Sequence, residues 1–156
     1  MKDMGLVDVI LDFKIKREDN NLILTQSHYI EKILKKFNQY NCTPMSTPFD
    51  SNLKLHPNTG RAVDQLECSR VIGSLMYAMT YTRHDIDFAV GKLSRYTSNP
   101  SSVHWHAVNR VLRYLRKTID YGTVYNGYPT VLEGFTDASW ITDHEDHSST
   151  SGWIFT

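Results

Sequence analysis

The chain has 156 residues, 40% of them hydrophobic, and a formal net charge of zero. That is the length of one ordinary domain of ~100–200 residues with enough apolar material for a core. An overall polyanion-seeking surface is excluded, and so is a membrane span, because no apolar run approaches ~20 residues.

Val7, Val9, Leu11, Phe13 and Ile15 alternate with other residues, a period-two strand. Asn20 and Asn21 signal a turn, and Leu22 to Thr25 returns, giving a β-hairpin with a fairly long loop. Ser27 is placed to cap an amphipathic helix with Ile30, Ile33, Leu34 and Phe37 on one face. Asn38 to Arg61 holds Pro44, Pro48 and Pro57 and reads as a long extended connection laid across a neighbouring surface.

Leu66, Val71, Ile72, Leu75, Met76 and Met79 make a second helical stripe, in which Gly73 suggests a close helix crossing. Ile86, Ala89, Val90 and Leu93 make a short third helix that Asn99-Pro100 terminates. Ser102 is read as the cap of a fourth helix, with Trp105, Val108, Val111, Leu112 and Leu115 on its apolar side. Arg110, Arg113 and Arg116 crowd another side of it, with Asn109 and Lys117 nearby. Tyr121 to Tyr125 is a short strand, Gly127 to Pro129 a turn, and Val131 to Trp140 a strand carrying one carboxylate, Asp137. Ser151 to Thr156 looks like a further strand of a sheet that is unfinished, which reads as truncation.

The charge is unevenly spread. Phe88 to Lys117 holds six basic residues and no acid, whereas six acids and no Lys or Arg follow Thr118. Such a switch points to nucleic-acid or metal chemistry. The arginine row fits either a solvated helix face or contact with phosphates, which needs positive charge but no base reading. His104 and His106 point apart on their helix and read as surface or structural. Asp143-His144-Glu145-Asp146-His147 reads as an acidic loop with nothing to fix a coordination geometry. Cys42 and Cys68 lack metal-type spacing, and no secretory signal opens the chain, so an intracellular location with reduced thiols is expected.

Over essentially its whole length the chain resembles the Pol polyprotein of copia-type LTR retrotransposons. The marks are Met1-Lys2-Asp3-Met4-Gly5, Leu24-Thr25-Gln26-Ser27-His28-Tyr29-Ile30-Glu31-Lys32-Ile33-Leu34 and Cys42-Thr43-Pro44-Met45-Ser46-Thr47-Pro48. Further along stand Ile72-Gly73-Ser74-Leu75-Met76-Tyr77, Thr82-Arg83-His84-Asp85-Ile86, His104-Trp105, Arg113-Tyr114-Leu115, Thr136-Asp137-Ala138-Ser139-Trp140 and Ser149-Thr150-Ser151-Gly152.

The resemblance implies an α+β fold: a hairpin and helical thumb/connection region, then an incomplete ribonuclease H-like β-sheet. Residues 1–26 would end the reverse transcriptase palm with a primer-grip-like hairpin, residues 27–120 would be thumb and connection helices, and residues 121–156 would open the ribonuclease H-like domain. Asp137 would be the first ribonuclease H carboxylate and a ligand of Mg²⁺ in the intact enzyme. Arg110, Arg113, Arg116 and Lys117 would hold RNA–DNA hybrid or duplex weakly, and the remainder of Pol would be the partner. With neither the polymerase nor the ribonuclease H site complete, the chain is expected to catalyse nothing alone. The alternatives are a retained non-catalytic module that binds nucleic acid or protein, and a metal-dependent nuclease acting alone. Asp12 stands where the family usually has glycine, His84 where it has proline, Asp87 where it has a small residue, and Arg116-Lys117 where Lys-Gly is common. An Asp12 carboxylate buried without a partner would cost a few kcal/mol.

Overall fold

The computed structural model describes residues 9–18, 21–126, 131–140, 149 and 151–155. Residues 7 and 8 of the expected hairpin, the 127–129 turn and the acidic 143–147 loop lie outside these. The architecture is α+β, with four α-helices and two antiparallel sheets among the described residues. The chain divides into two compact units, Met1–Tyr125 and Asn126–Thr156.

The first unit opens with β1 (Val9–Ile10), β2 (Phe13–Glu18) and β3 (Asn21–Thr25). The expected single strand through Ile15 is broken. Ile10 pairs with Phe13, so Leu11 and Asp12 form a two-residue hairpin turn. Both have positive φ, 49° and 64°, the geometry of the turn that matches strand twist and prefers Asn-Gly. Asp12 is therefore not a buried charge. It is exposed, at a left-handed position that glycine adopts freely and aspartate tolerates.

Helix α1 (Ser27–Lys36) buries Ile30, Ile33 and Leu34, as its periodicity requires. Its N-cap is Gln26, and Ser27 is the first helical residue. Gln26 is itself buried, accepting a hydrogen bond from the Thr82 hydroxyl at 2.7 Å. Helix α2 (Gln65–Tyr81), capped by Asp64, buries Cys68, Val71, Ile72, Leu75 and Ala78. Leu66 and Met76 of the expected stripe are exposed instead. Gly73 is exposed too, and a Cβ there meets nothing, so it mediates no helix crossing.

A 3-10 turn, His84–Ile86, leads into α3 (Asp87–Ser94), and α4 (Ser102–Lys117) follows. The four helices share one core, in which Leu34, Val71, Leu75, Val90, Val111, Leu112 and Leu115 are fully enclosed. Tyr29, Tyr77, Tyr81 and Phe13 form an aromatic cluster that seats the β1–β2 hairpin on α2, and the Tyr77 hydroxyl donates to the Leu11 carbonyl at 3.0 Å.

The sequence groups strand β4 (Gly122–Asn126) with the C-terminal strands. In the structure it is the fourth strand of the first sheet, whose order is β1-β2-β3-β4. Gly122 permits this, because a Cβ there would collide with the Leu24 carbonyl of β3. The second unit contains β5 (Gly134–Ala138) paired antiparallel with β6 (Ser151–Phe155).

The Leu11-Asp12 turn carries a β-hairpin on two residues with side chains disfavoured at φ > 0, at ~1–2 kcal/mol for an ordinary L-residue. Replacing the pair with Leu11→Asn and Asp12→Gly should raise stability by about 1 kcal/mol, seen as a higher urea midpoint at unchanged slope. An unchanged or lowered midpoint would mean that the Leu11 side chain contributes more than its strain costs.

Candidate nucleic-acid interface

Helix α4 turns one face to the core and sets its arginines along the margin of that face. Each arginine Nε points at the extended segment that follows α1. Arg116 donates to the Tyr40 carbonyl at 2.7 Å and lies over the Tyr40 ring. Arg113 donates to the Thr43 carbonyl at 2.7 Å. Arg110 reaches the Thr47 carbonyl and, at 2.8 Å, the Thr47 hydroxyl, with Asp50 at 3.5 Å. The Met45 amide returns a bond to the Arg113 carbonyl. The row is thus the buckle of a strap, residues 40–50, that runs antiparallel to α4. Sequence foresaw that this segment crosses a surface, but not that the arginines hold it.

The strap uses only part of each guanidinium. Among the described residues, the terminal nitrogens of Arg113 and Arg116 have no hydrogen-bond partner and no carboxylate pairs with either. Pinned by Nε, they form half-buried, oriented forks. Lys117 is exposed beside them. Arg110 differs, being occupied by Thr47 and Asp50.

A residue passed over in the sequence organises this end of α4. Arg83 is 1% exposed, the largest fully buried side chain among the described residues. Its Nε and one terminal nitrogen grip the Asp85 carboxylate at 2.9 and 2.8 Å. The other side reaches the Thr118 carbonyl at 2.9 Å and the Thr118 hydroxyl. The rings of Tyr114 and Tyr121 flank the guanidinium, and the Tyr114 hydroxyl donates to Asp85 at 2.7 Å. Burial pushes the Asp85 carboxyl upward, but the hydrogen bonds from Arg83 and Tyr114 and the guanidinium charge hold it below the usual range. Burial and the Asp85 neighbour push the Tyr114 hydroxyl up. The signal was available as Arg83-His84-Asp85, where a two-residue spacing lets one fork clasp one carboxylate.

The other end of α4 is closed by Ser101, one residue before the expected Ser102. Its side chain accepts from the His104 amide while the His104 Nδ1 accepts from the Ser101 amide at 2.9 Å. Histidine here takes the place of the usual Glu or Gln of a capping box. The ring is buried and stacked on Tyr96 at 4.2 Å. Burial holds its pKa below the ordinary histidine value, with the His56 backbone acting the other way.

Asp137 sits on β5 opposite Gly152 and is exposed. Among the described residues no three His, Cys, Asp or Glu side chains converge as a metal site. A lone exposed carboxylate does not fit a hard divalent cation, which needs a shell of about six oxygens. Cys42 and Cys68 are free, and burial pushes the Cys68 thiol up. Among the described residues no helix is long and apolar enough to cross a membrane.

The chain is 42% identical over its whole length to the retrovirus-related Pol polyprotein from transposon TNT 1-94 of Nicotiana tabacum, covering 12% of that protein. It is 36% identical over 92% of its length to the retrovirus-related Pol polyprotein from transposon RE2 of Arabidopsis thaliana, covering 10% of it. A putative transposon Ty5-1 protein of Saccharomyces cerevisiae is 30% identical over 99% of the chain and is covered to 51%. Over essentially its whole length the chain is similar to a segment of the retrovirus-related Pol polyproteins of copia-type transposons. It spans about a tenth of the length of the first two relatives. No family model matches it, and no solved structure does.

The places where the chain departs from the residues usual in the family it resembles are physically mild. His84 is exposed at the first position of the 3-10 turn, where proline would also fit. Asp87 is exposed in the first turn of α3, where the helix dipole favours an acid.

Arg83→Met should destabilise the chain by about 3–5 kcal/mol, since it strands Asp85 and the Thr118 carbonyl. Urea unfolding would show this, and a loss under 1 kcal/mol would mean that water replaces the guanidinium. For His104 the folded pKa is the lower one, so the unfolded chain takes up the proton more readily. Its contribution is complete above the unfolded histidine pKa and is lost as pH falls below about 6.5. His104→Gln keeps an acceptor for the Ser101 amide, so its stability should depend less on pH between about 7 and 5 than that of the wild type. Parallel pH curves would assign the acid sensitivity to another group.

Proposed function

We propose that this chain is a nucleic-acid-holding segment of a retrotransposon reverse transcriptase/ribonuclease H polyprotein. In this reading the β1–β3 hairpin closes the polymerase palm and the helices of the first unit are thumb and connection. The β5–β6 ribbon opens a ribonuclease H-like sheet to which Asp137 contributes one carboxylate. The remainder of Pol is the partner, and RNA–DNA hybrid or duplex is the ligand. One observation carries the nucleic-acid part: Arg113 and Arg116 are pinned by Nε to the strap with their outer nitrogens unpaired among the described residues, and Lys117 is exposed beside them. Preset cations without carboxylate partners suit phosphate contacts, which position a duplex without reading its sequence.

Mg²⁺ enters this proposal only through the larger protein. The described residues offer Asp137 alone, so the chain by itself is proposed to cleave no hybrid. An RNA–DNA cleavage assay with and without Mg²⁺ tests this, and cleavage lost in Asp137→Asn would overturn it. A non-catalytic binding module retained for its own sake would use the same row, and shares the test that follows.

Hybrid binding should be weak, indifferent to sequence and steeply salt-dependent. Lys117→Gln, which touches no strap residue, should lower the slope of log K against log salt by about one, and Arg113→Gln with Arg116→Gln by about two more. Slopes equal to wild type would return the row to a purely structural role.

A further inference from the structure

The strap does more than cover α4. Where it leaves Arg110, it forms one wall of an open groove of about 330 Å³ lined by Pro48, Phe49, Ser51, Leu53, Phe88 and Lys92. Arg110 fixes this wall from both sides, holding Thr47 before Pro48 and Asp50 after Phe49. The other wall is α3, which places Phe88 and Lys92 one turn apart on the same side.

The chemistry of the groove is aromatic and cationic. Phe49 and Phe88 meet edge to face, with centroids 5.7 Å apart and planes at 88°, making a corner of two ring surfaces. The Lys92 ammonium stands 5.0 Å from the Phe88 centroid and 5.6 Å from that of Phe49. It is half-buried, and among the described residues no carboxylate pairs with it. Phe88 is 59% exposed, an aromatic surface that the fold leaves open to solvent. The volume is at the lower bound for a ligand site, ~300 Å³, and so admits one small planar group.

We propose that this groove seats one unpaired nucleotide of a single strand, its base in the Phe49–Phe88 corner and its phosphate on Lys92. Charge complementarity selects this occupant. From Phe88 to Lys117 the chain carries six basic residues and no acid, so a backbone leaving the groove past Lys92 toward α4 meets cations, and Asp87 at the start of α3 is the one acid on either helix. Continuity supports it as well, since Arg110 joins the groove wall to the arginine row. Aromatic platforms beside a basic track are how single strands are held without regard to sequence. The inference rests on the nucleic-acid-holding role of the arginine row and adds an unpaired base to it.

The test is fluorescence anisotropy with the full chain and two labelled probes: an oligodeoxyadenylate of about eight nucleotides and a blunt RNA–DNA hybrid. Phe88→Ala should weaken the single strand about tenfold or more, as loss of one stacked base does. Lys92→Gln should weaken it and reduce its salt slope, Phe88→Trp should restore it, and the blunt hybrid should change less than about twofold. Phe88 is largely exposed, so its truncation opens no core, and a circular dichroism melt confirms the fold. Hybrid binding with a single strand indifferent to Phe88 and Lys92 overturns the nucleotide seat alone. Loss of both probes' binding in the wild type overturns the seat and the holding role together. Phe88-dependent binding of an acidic aromatic peptide, with no oligonucleotide binding, assigns the groove to a protein partner and also overturns it.

Discussion

The buried Arg83 guanidinium is the constraint on which the first unit depends. A charge taken out of water is tolerable only if its donors are met. Here Asp85 takes one edge of the fork, Thr118 takes the other, and Tyr114 and Tyr121 flank it. These partners belong to different parts of the chain: the corner after α2, the C-terminal end of α4, and the approach to β4. Satisfying one side chain therefore fixes where α4 ends relative to α2 and where β4 begins. Gly122 follows immediately, at a position where the strand presses against the β3 backbone. The sheet is completed from the same point that anchors the helices.

With α4 so placed, its arginines solve a second problem. Residues 40–50 include Pro44 and Pro48, which have no amide to donate, and the segment joins no strand ladder. Its carbonyls still need donors. Arginines three apart on a helix drift by about sixty degrees per step, so the row winds obliquely around α4. An extended segment crossing the helix at a slant can meet them in turn, at Tyr40, Thr43 and Thr47. Because only Nε is consumed in Arg113 and Arg116, the same contacts that hold the strap aim the rest of the fork outward. Structural and phosphate-binding roles are then compatible in one side chain.

What could be read in the sequence followed from periodicity. The apolar spacings at Ile30-Ile33-Leu34 and Val108-Val111-Leu112-Leu115 translate directly into buried faces. Where the pattern misled, a local cause is visible. Leu66 and Met76 are apolar but lie off the buried arc of α2, while Ala78, small and unremarkable in sequence, is on it. The turn at Leu11-Asp12 was hidden because its residues are not the Asn-Gly that its geometry prefers. The first and fourth helices start one residue away from the expected geometry: Ser27 lies inside α1, and Ser101 rather than Ser102 caps α4. The arginine row was legible as a row, but its strap partners are separated from it by more than sixty residues, a pairing no local pattern encodes.

The second unit poses the opposite problem, one of too little cover. In the β5–β6 register Phe135 faces Ile154 on one side of the ribbon, and Trp153 and Phe155 lie on the other, all at least 60% exposed. Two strands alone are marginal in water, and apolar side chains on both faces are the pattern of strands covered on both sides. Asp137 alternates with Phe135 and so shares its face. A side chain packed over Phe135 and Ile154 would therefore also meet the Asp137 carboxylate, and a charge taken out of water is costly unless it is hydrogen-bonded or paired.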